Sequence, residues 1–467
     1  MLKLLLLLPI ILLSSMGVFA ETGKEEESKN ITISDTTSSK LGYDLQKGTF
    51  TFHARSVFMS TINKGDLLDY SALATGAGIG YISPEFKNFH LGFSGFFVFQ
   101  LFQNNIDIED PITGGGNRYE LLLFDMNDVN NTHDLDRLEE LYLTYDYRNF
   151  HITLGRQHFE SPLLNGQDNR MRPNIFSGVR VDFRQKRWKA TGAFFNALTA
   201  RGTVDWYSMD ESFGVYPFGR NRFGQPSDYK GNITTRGIGI LGIEYQIHED
   251  VKFQAWNYHA DNVFNLAFGQ LDFKHKRDGI IYFGGLQGFY QTAVNDGGNE
   301  NQEVTYIEKD ENSFAIGGRL GSTVGKHEFS FNYLHIGDQG RFLFPREWGR
   351  EHFYASLARE RFEGKGGVDA TTLRYKYTFK EPGLSTQVGA GYVNSPDINN
   401  YYLNKYGLPS YYHFMGIIDY KFSGYFEGLD LYFMAVNKTS ADSNVPDRFR
   451  LNRVDMWHFN LVLDYRF

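Results

Sequence analysis

The chain has 467 residues, no cysteine and a formal charge of −8. An exported chain of this size without cysteine draws its stability from hydrogen bonding and packing rather than disulfides, and the acidic balance gives no footing for nucleic acid. Length alone suggests two or three soluble domains, but 16% aromatic residues, with 42 Phe and 29 Tyr against only 12 Pro, argue against that reading.

Residues 1–20 read as a secretory signal peptide. Lys3 supplies the basic start, Leu4 to Leu13 the apolar stretch, and Val18-Phe19-Ala20 the small residues of a cleavage site. The apolar part is too short to cross a bilayer as a helix. Residues 21–48 are polar and aperiodic, with Glu25-Glu26-Glu27 and Thr36-Thr37-Ser38-Ser39. They read as a flexible periplasmic tail.

From Thr49 to Phe467 the period is two. In 176–184, Val179, Val181 and Phe183 alternate with Gly178, Arg180, Asp182 and Arg184. In 371–380, Leu373, Tyr375, Tyr377 and Phe379 alternate with Thr372, Arg374, Lys376, Thr378 and Lys380. At the end, Trp457, Phe459, Leu461, Leu463, Tyr465 and Phe467 alternate with Met456, His458, Asn460, Val462, Asp464 and Arg466. A β-strand places alternate side chains on opposite faces, so one face of each suits lipid and the other water. The mean hydropathy of −0.40 is compatible with this, because such a strand shows lipid only at every second residue.

Tight connections at 147–149, 248–250, 380–383 and 424–428 alternate with long ones at 103–134, 159–175, 199–231, 295–311, 338–369, 395–410 and 439–453. Short turns on one side and long loops on the other mark a bacterial outer-membrane barrel. The fold class is therefore all-β: a transmembrane antiparallel β-barrel over 49–467, of about eighteen strands. Hydrocarbon leaves no open sheet edge, so the strand starting at Thr49 must pair with the strand ending at Phe467, with both chain ends periplasmic.

Few local motifs point to chemistry. Gly237-Ile238-Gly239-Ile240-Leu241-Gly242 matches a dinucleotide fingerprint by letters, but a strand rather than a helix follows it, so bulky neighbours packing over a barrel wall explain these glycines better. Asp107, Glu109 and Asp110, and likewise Asp296 and Glu300, lack the spacing of a calcium loop and read as solvated loop acids. No histidine pair has metalloprotease spacing and no nucleophile elbow is present. No catalytic residue, metal or cofactor is expected.

The inward faces carry more. Alternation points Arg55, Arg180, Arg184, Arg236, Arg319, Arg374 and Lys376 into the lumen, together with Glu140, Asp146, Asp182, Glu244, Asp430 and Asp464. Scattered mixed charges line any hydrated pore. A row of guanidinium groups, however, matches carboxylates bidentately and can pass an anion from site to site. The segment after Leu154-Gly155-Arg156-Gln157 is expected to fold inward as a constriction. It mixes apolar anchors (Leu163, Leu164, Phe176) with Asp168, Arg170 and Arg172, as a loop packed inside a barrel must.

These residues resemble the OprD family of outer-membrane porins. The resemblance rests on Leu154-Gly155-Arg156-Gln157, on the Asp168-x-Arg170-x-x-Pro173-x-x-Phe176-x-Gly178 pattern, on Arg341 to Arg350 and on Leu403 to Tyr411. It implies an eighteen-stranded barrel, monomeric or weakly trimeric. It also implies a pore pinched by inward loops at Asp168 and Arg170, and a basic ladder for carboxylate-bearing solutes such as amino acids or aromatic acids. The terminal Phe467 resembles the signal read by the barrel assembly machinery. The expected partners are outer-membrane lipid, that machinery and a small solute. Some relatives pass oligosaccharides, which stays open. So do a barrel enzyme (protease or phospholipase), which would call for about twelve strands or fewer, and an adhesion barrel with a plugged lumen.

Overall fold

The computed structural model describes residues 48–131, 134–380 and 383–467. The expected signal segment and the expected tail as far as Lys47 lie outside the described residues. In chain order the strands are β1 (Thr49–Asn63), β2 (Tyr70–Ile82), β3 (Phe89–Asn104), β4 (Arg137–Tyr147), β5 (Phe150–Gln157) and β6 (Ile175–Gln185). There follow β7 (Trp188–Thr199), a two-residue β8 (Tyr207–Ser208), β9 (Ile238–His248), β10 (Val251–Ala260), β11 (Phe264–Arg277), β12 (Ile280–Ala293) and β13 (Asn312–Val324). The last are β14 (His327–Ile336), β15 (Val368–Thr378), β16 (Leu384–Asn394), β17 (Tyr411–Lys421), β18 (Leu429–Ser440) and β19 (Met456–Arg466).

Each strand pairs antiparallel with its neighbours, and β7 pairs with β9 as well as with the short β8, so eighteen strands form the wall among the described residues. The sheet closes where β1 meets β19, with Val57 opposite Val462 and Asn63 opposite Met456. The final residue belongs to that seam: Phe52 N–H donates to the Phe467 carbonyl at 2.8 Å, and Phe467 N–H donates to Phe52 at 3.1 Å. Closure satisfies backbone groups that would cost several kcal/mol each in hydrocarbon.

The alternation read from the sequence is the wall's inside and outside. Leu241, Leu286, Leu320 and Leu373 are each 60% or more exposed, on the outward face. In water such a surface would drive association; against lipid tails it is the proper solvent. No helix among the described residues is long and apolar enough to cross a membrane. Gly242 of β9 lies under Trp256 of β10, where an added Cβ would come within 2.3 Å of the indole.

Nine connections gather at one end, the seven longest among them: L1 (64–69), L2 (105–136), L3 (158–174), L4 (200–237), L5 (261–263), L6 (294–311), L7 (337–367), L8 (395–410) and L9 (441–455). L3, L4 and L7 fold into the barrel. Their apolar side chains (Leu163, Leu164, Phe213, Phe344, Trp348) form one core with inward residues at the loop ends of the strands, such as Tyr258 and Phe264. This departs from the expectation that the inner face of each strand suits water. Where the loops pack against it, the loop-end half of the wall carries apolar side chains among its inward residues.

Candidate functional site

The inward-folded L3 is held at two places. Residues Ser161 to Leu164 make a tight turn in which the Ser161 hydroxyl donates to the Leu164 carbonyl at 2.7 Å. The next residue clasps L7: Asn165 N–H donates to the Trp348 carbonyl at 3.2 Å, the Asn165 side-chain amide donates to the Arg350 carbonyl at 2.8 Å, and Arg350 N–H returns to Asn165 Oδ1 at 3.1 Å. Gly349 makes the approach possible, because a Cβ there would sit 1.9 Å from the Leu163 carbonyl oxygen. Trp348 anchors the L7 side. Its indole N–H donates to the Ser212 hydroxyl of L4 at 2.8 Å, and Phe213 packs edge-on with ring centres 4.9 Å apart.

A second attachment ties L3 to the barrel seam. The Asp168 carboxylate pairs with Arg55 of β1 and, at 3.0 Å, with Arg466 of β19. Arg55 also pairs with Asp464 at 2.9 Å and donates to the Arg170 carbonyl at 2.8 Å. These two cations hold the Asp168 carboxyl well below the usual carboxylate range, ahead of the opposing effect of Asp464. Burial, the largest single influence, acts the other way. Arg55 is therefore spent on the loop and the wall, and Asp168 acts as a latch.

The other expected residues divide by position. Arg170 faces the central cavity, 2% exposed, with its guanidinium donating to the Asn169 carbonyl at 2.8 Å. Arg172 points the other way and is a strut under L3, donating to the Leu135 carbonyl of L2 at 2.6 Å. Arg180 pairs with Asp182 at 2.6 Å and lies over the Phe159 ring. Arg184 stands exposed at the turn end of the same face. Arg319, Arg374 and Lys376 share a second, polar cavity with Glu328 and Asn332. There Arg319 pairs with Asp272 at 2.8 Å, and Arg374 donates to the Tyr354 carbonyl of L7 at 2.8 Å and to that of Ser356. Arg236 is a correction. It precedes β9 in L4, its side chain is 85% exposed, and it pairs with Asp261 of L5 at 2.8 Å. Alternation does not apply beyond the strand end, so Arg236 has no place on the lumen wall.

Sequence reasoning missed most of the central cavity. That cavity lies among L2, L3, L4, L7, L8, L9 and β18. Among the described residues, eight arginines (118, 170, 201, 346, 350, 359, 361 and 453), Lys438 and a single carboxylate, Glu360, line it. Lys438 sits on the inward face of β18, beside buried Val436 and Met434, so alternation could have found it. The loop arginines carry no periodic signal. Some are neutralised: Arg346 pairs with Glu363 at 2.7 Å, Arg361 lies 3.9 Å from Glu351, and Lys438 pairs with Glu360 at 3.2 Å. Low-dielectric walls focus the field of the remainder, which is how an acidic chain can hold a basic pore.

Residues 113–451 match the family described as outer membrane porin, OprD family. No curated relative matches the sequence directly. Among solved structures the fold is similar to that of Pseudomonas aeruginosa OccK9 (OpdG), with TM-score 0.70, 16% identity, and 90% of this chain and 98% of that one covered. It is also similar to P. aeruginosa OpdK with vanillate (TM-score 0.65, 16% identity, 91% and 99% covered). A third is P. aeruginosa OccK2 (OpdF) in complex with glucuronate (TM-score 0.67, 15% identity, 90% and 98% covered).

Proposed function

Because the chain belongs to the OprD family of outer-membrane porins, we propose that it passes small carboxylate-bearing solutes down their gradients through the arginine-lined cavity. The observation that carries this reading is the ratio of nine cationic side chains to one carboxylate around that space. A guanidinium is charged at every physiological pH, and its planar fork matches a carboxylate with two parallel hydrogen bonds. In the resulting sequence, a solute attracted at the loop end meets the central arginines first. It then passes the Arg319, Arg374 and Lys376 group nearer the turn end, each stop weak enough to release it. Vanillate and glucuronate, present with two proteins of the same fold, both carry a carboxylate. Being a transport channel of this family, with eighteen wall strands, the protein does not fit the smaller barrels expected of outer-membrane proteases and phospholipases.

Liposome swelling with glucuronate and with glucose tests the proposal against the oligosaccharide alternative, because the two solutes differ mainly by one carboxylate. Faster entry of glucuronate supports carboxylate selection. Equal or faster entry of glucose overturns it.

A further inference from the structure

The cations of the central cavity are not equivalent. Six of them, Arg118, Arg170, Arg201, Arg350, Arg359 and Arg453, have no carboxylate within 4.0 Å among the described residues, whereas the other cationic lining residues do. They come from five separate loops (L2, L3, L4, L7 and L9), so only the folding of the loops brings them together. What protein partners they have are neutral. Arg350 donates to the Leu357 carbonyl at 3.0 Å, Arg453 to the Arg448 carbonyl at 3.1 Å, and Arg170 and Arg201 both reach Asn169. Arg118 lies over the rings of Phe218 and Tyr406.

Two observations argue that this surplus positive charge serves a ligand. The Nε–H groups of Arg170, Arg201, Arg350 and Arg359 are buried, and none meets an acceptor among the described residues. Four such donors around one space leave a desolvation cost that an arriving acceptor would remove. The groups also repel one another. After burial, the charges of Arg359 and Arg201 most disfavour the charged form of Arg170, and that of Arg118 does the same at Arg453. A single carboxylate engages one or two forks and leaves at least four of the six guanidiniums facing each other.

Resting on the anion-passing reading above, we infer that the cavity is a binding station for a compact polyanion, a solute carrying three or more negative charges on separate oxyanion groups. Tricarboxylates and phosphoric anhydrides or esters share that chemistry. Each oxyanion group accepts from one or two guanidinium forks drawn from different loops, so binding also draws the loops together.

Single-channel recording in a planar bilayer tests this, with benzoate, citrate and pyrophosphate as blockers at matched ionic strength. Citrate or pyrophosphate is expected to interrupt the current at concentrations at least a hundredfold below benzoate, and the stronger of the two identifies carboxylate or phosphoryl as the source. Arg359 makes no side-chain hydrogen bond among the described residues, so Arg359→Gln removes charge without unfastening a loop. It should weaken polyanion block about tenfold and benzoate block by a much smaller factor, about twofold, and Arg359→Lys should recover part of the loss. Equal potency of benzoate and the polyanions, or an Arg359→Gln channel that binds citrate and pyrophosphate as wild type does, overturns the inference. Neither result disturbs the glucuronate-over-glucose preference, which tests the anion-passing reading separately.

Discussion

Gly349→Ala separates the loop plug from the barrel that contains it. Its Cβ would stand 1.9 Å from the Leu163 carbonyl oxygen and 2.9 Å from Asn165 N, both backbone atoms with no flexible end to move aside. Ordinary contact lies near 3.4 Å, so L3 and L7 must part by about 1.5 Å. The three hydrogen bonds between Asn165 and the Trp348 and Arg350 backbone lie across that gap. At about 0.5–1.5 kcal/mol each, their loss costs the clasp about 2–4 kcal/mol and raises the population of an unclasped L3 by roughly a hundredfold. The wall loses no hydrogen bond, so the variant should assemble and shift on heating in gel electrophoresis as wild type does. Its single-channel conductance should be larger, and its current noisier. A variant with wild-type conductance and noise would mean that the L3–L7 clasp does not set the pore, and the reasoning fails.

Three other outcomes follow from single sites. Glu347 of L7 is pushed up to about 7 by burial, despite accepting from Tyr216 N–H at 2.9 Å; Lys405 lowers it and Glu363 raises it further, with smaller weight. A carboxyl raised in the folded state stabilises the fold fully below its ordinary value and loses that contribution as pH rises through 7. The L4–L7 packing should therefore loosen from pH 6 to 8, seen as growing current noise, and Glu347→Gln should abolish the trend; a trend that survives the substitution refutes this. Leu461, midway along β19 and outward, should cost about 2–4 kcal/mol when changed to Arg, measured by urea unfolding in lipid. A near-neutral effect would place that position away from the hydrocarbon. Deleting Phe467 removes both backbone bonds to Phe52 at the seam, and the yield of folded protein in the outer membrane should fall. Undiminished assembly would leave the terminal residue without the role its resemblance implies.

How far the sequence could be read depends on where each residue sits. Arg374 and Lys376 were legible because β15 holds them in a strict two-residue period opposite exposed Leu373. The seam was legible too, because hydrocarbon tolerates no unpaired edge. Arg236 departs from the pattern because it lies two residues before β9 begins at Ile238, where strand alternation no longer fixes a side chain's direction. Tyr258 and Phe264 contradict a wet inner face because L3, L6 and L7 fill the space above them, and no period-two pattern encodes a loop's fold. The same physics hid Arg118, Arg201, Arg350, Arg359 and Arg453. Their placement depends on long-range contacts such as Asn165 with Arg350 and Trp348 with Ser212, which join residues far apart in sequence. Asp168 is legible as a polar residue of an inward-folding segment, but its capture by Arg55 and Arg466 depends on closure of the whole barrel.

The central claim is that unpaired arginines give the pore its charge preference, and the zero-current potential across a bilayer in a tenfold KCl gradient tests it most directly. Arg170 is the residue to vary, since it lines the cavity with no carboxylate partner among the described residues. Wild type should give the sign of an anion-selective pore. Arg170→Ala should move the potential toward zero more than it changes total conductance, and Arg170→Lys should recover only part, since it keeps the charge and loses the fork. A cation-selective wild type, or the same potential in all three proteins, would contradict the account.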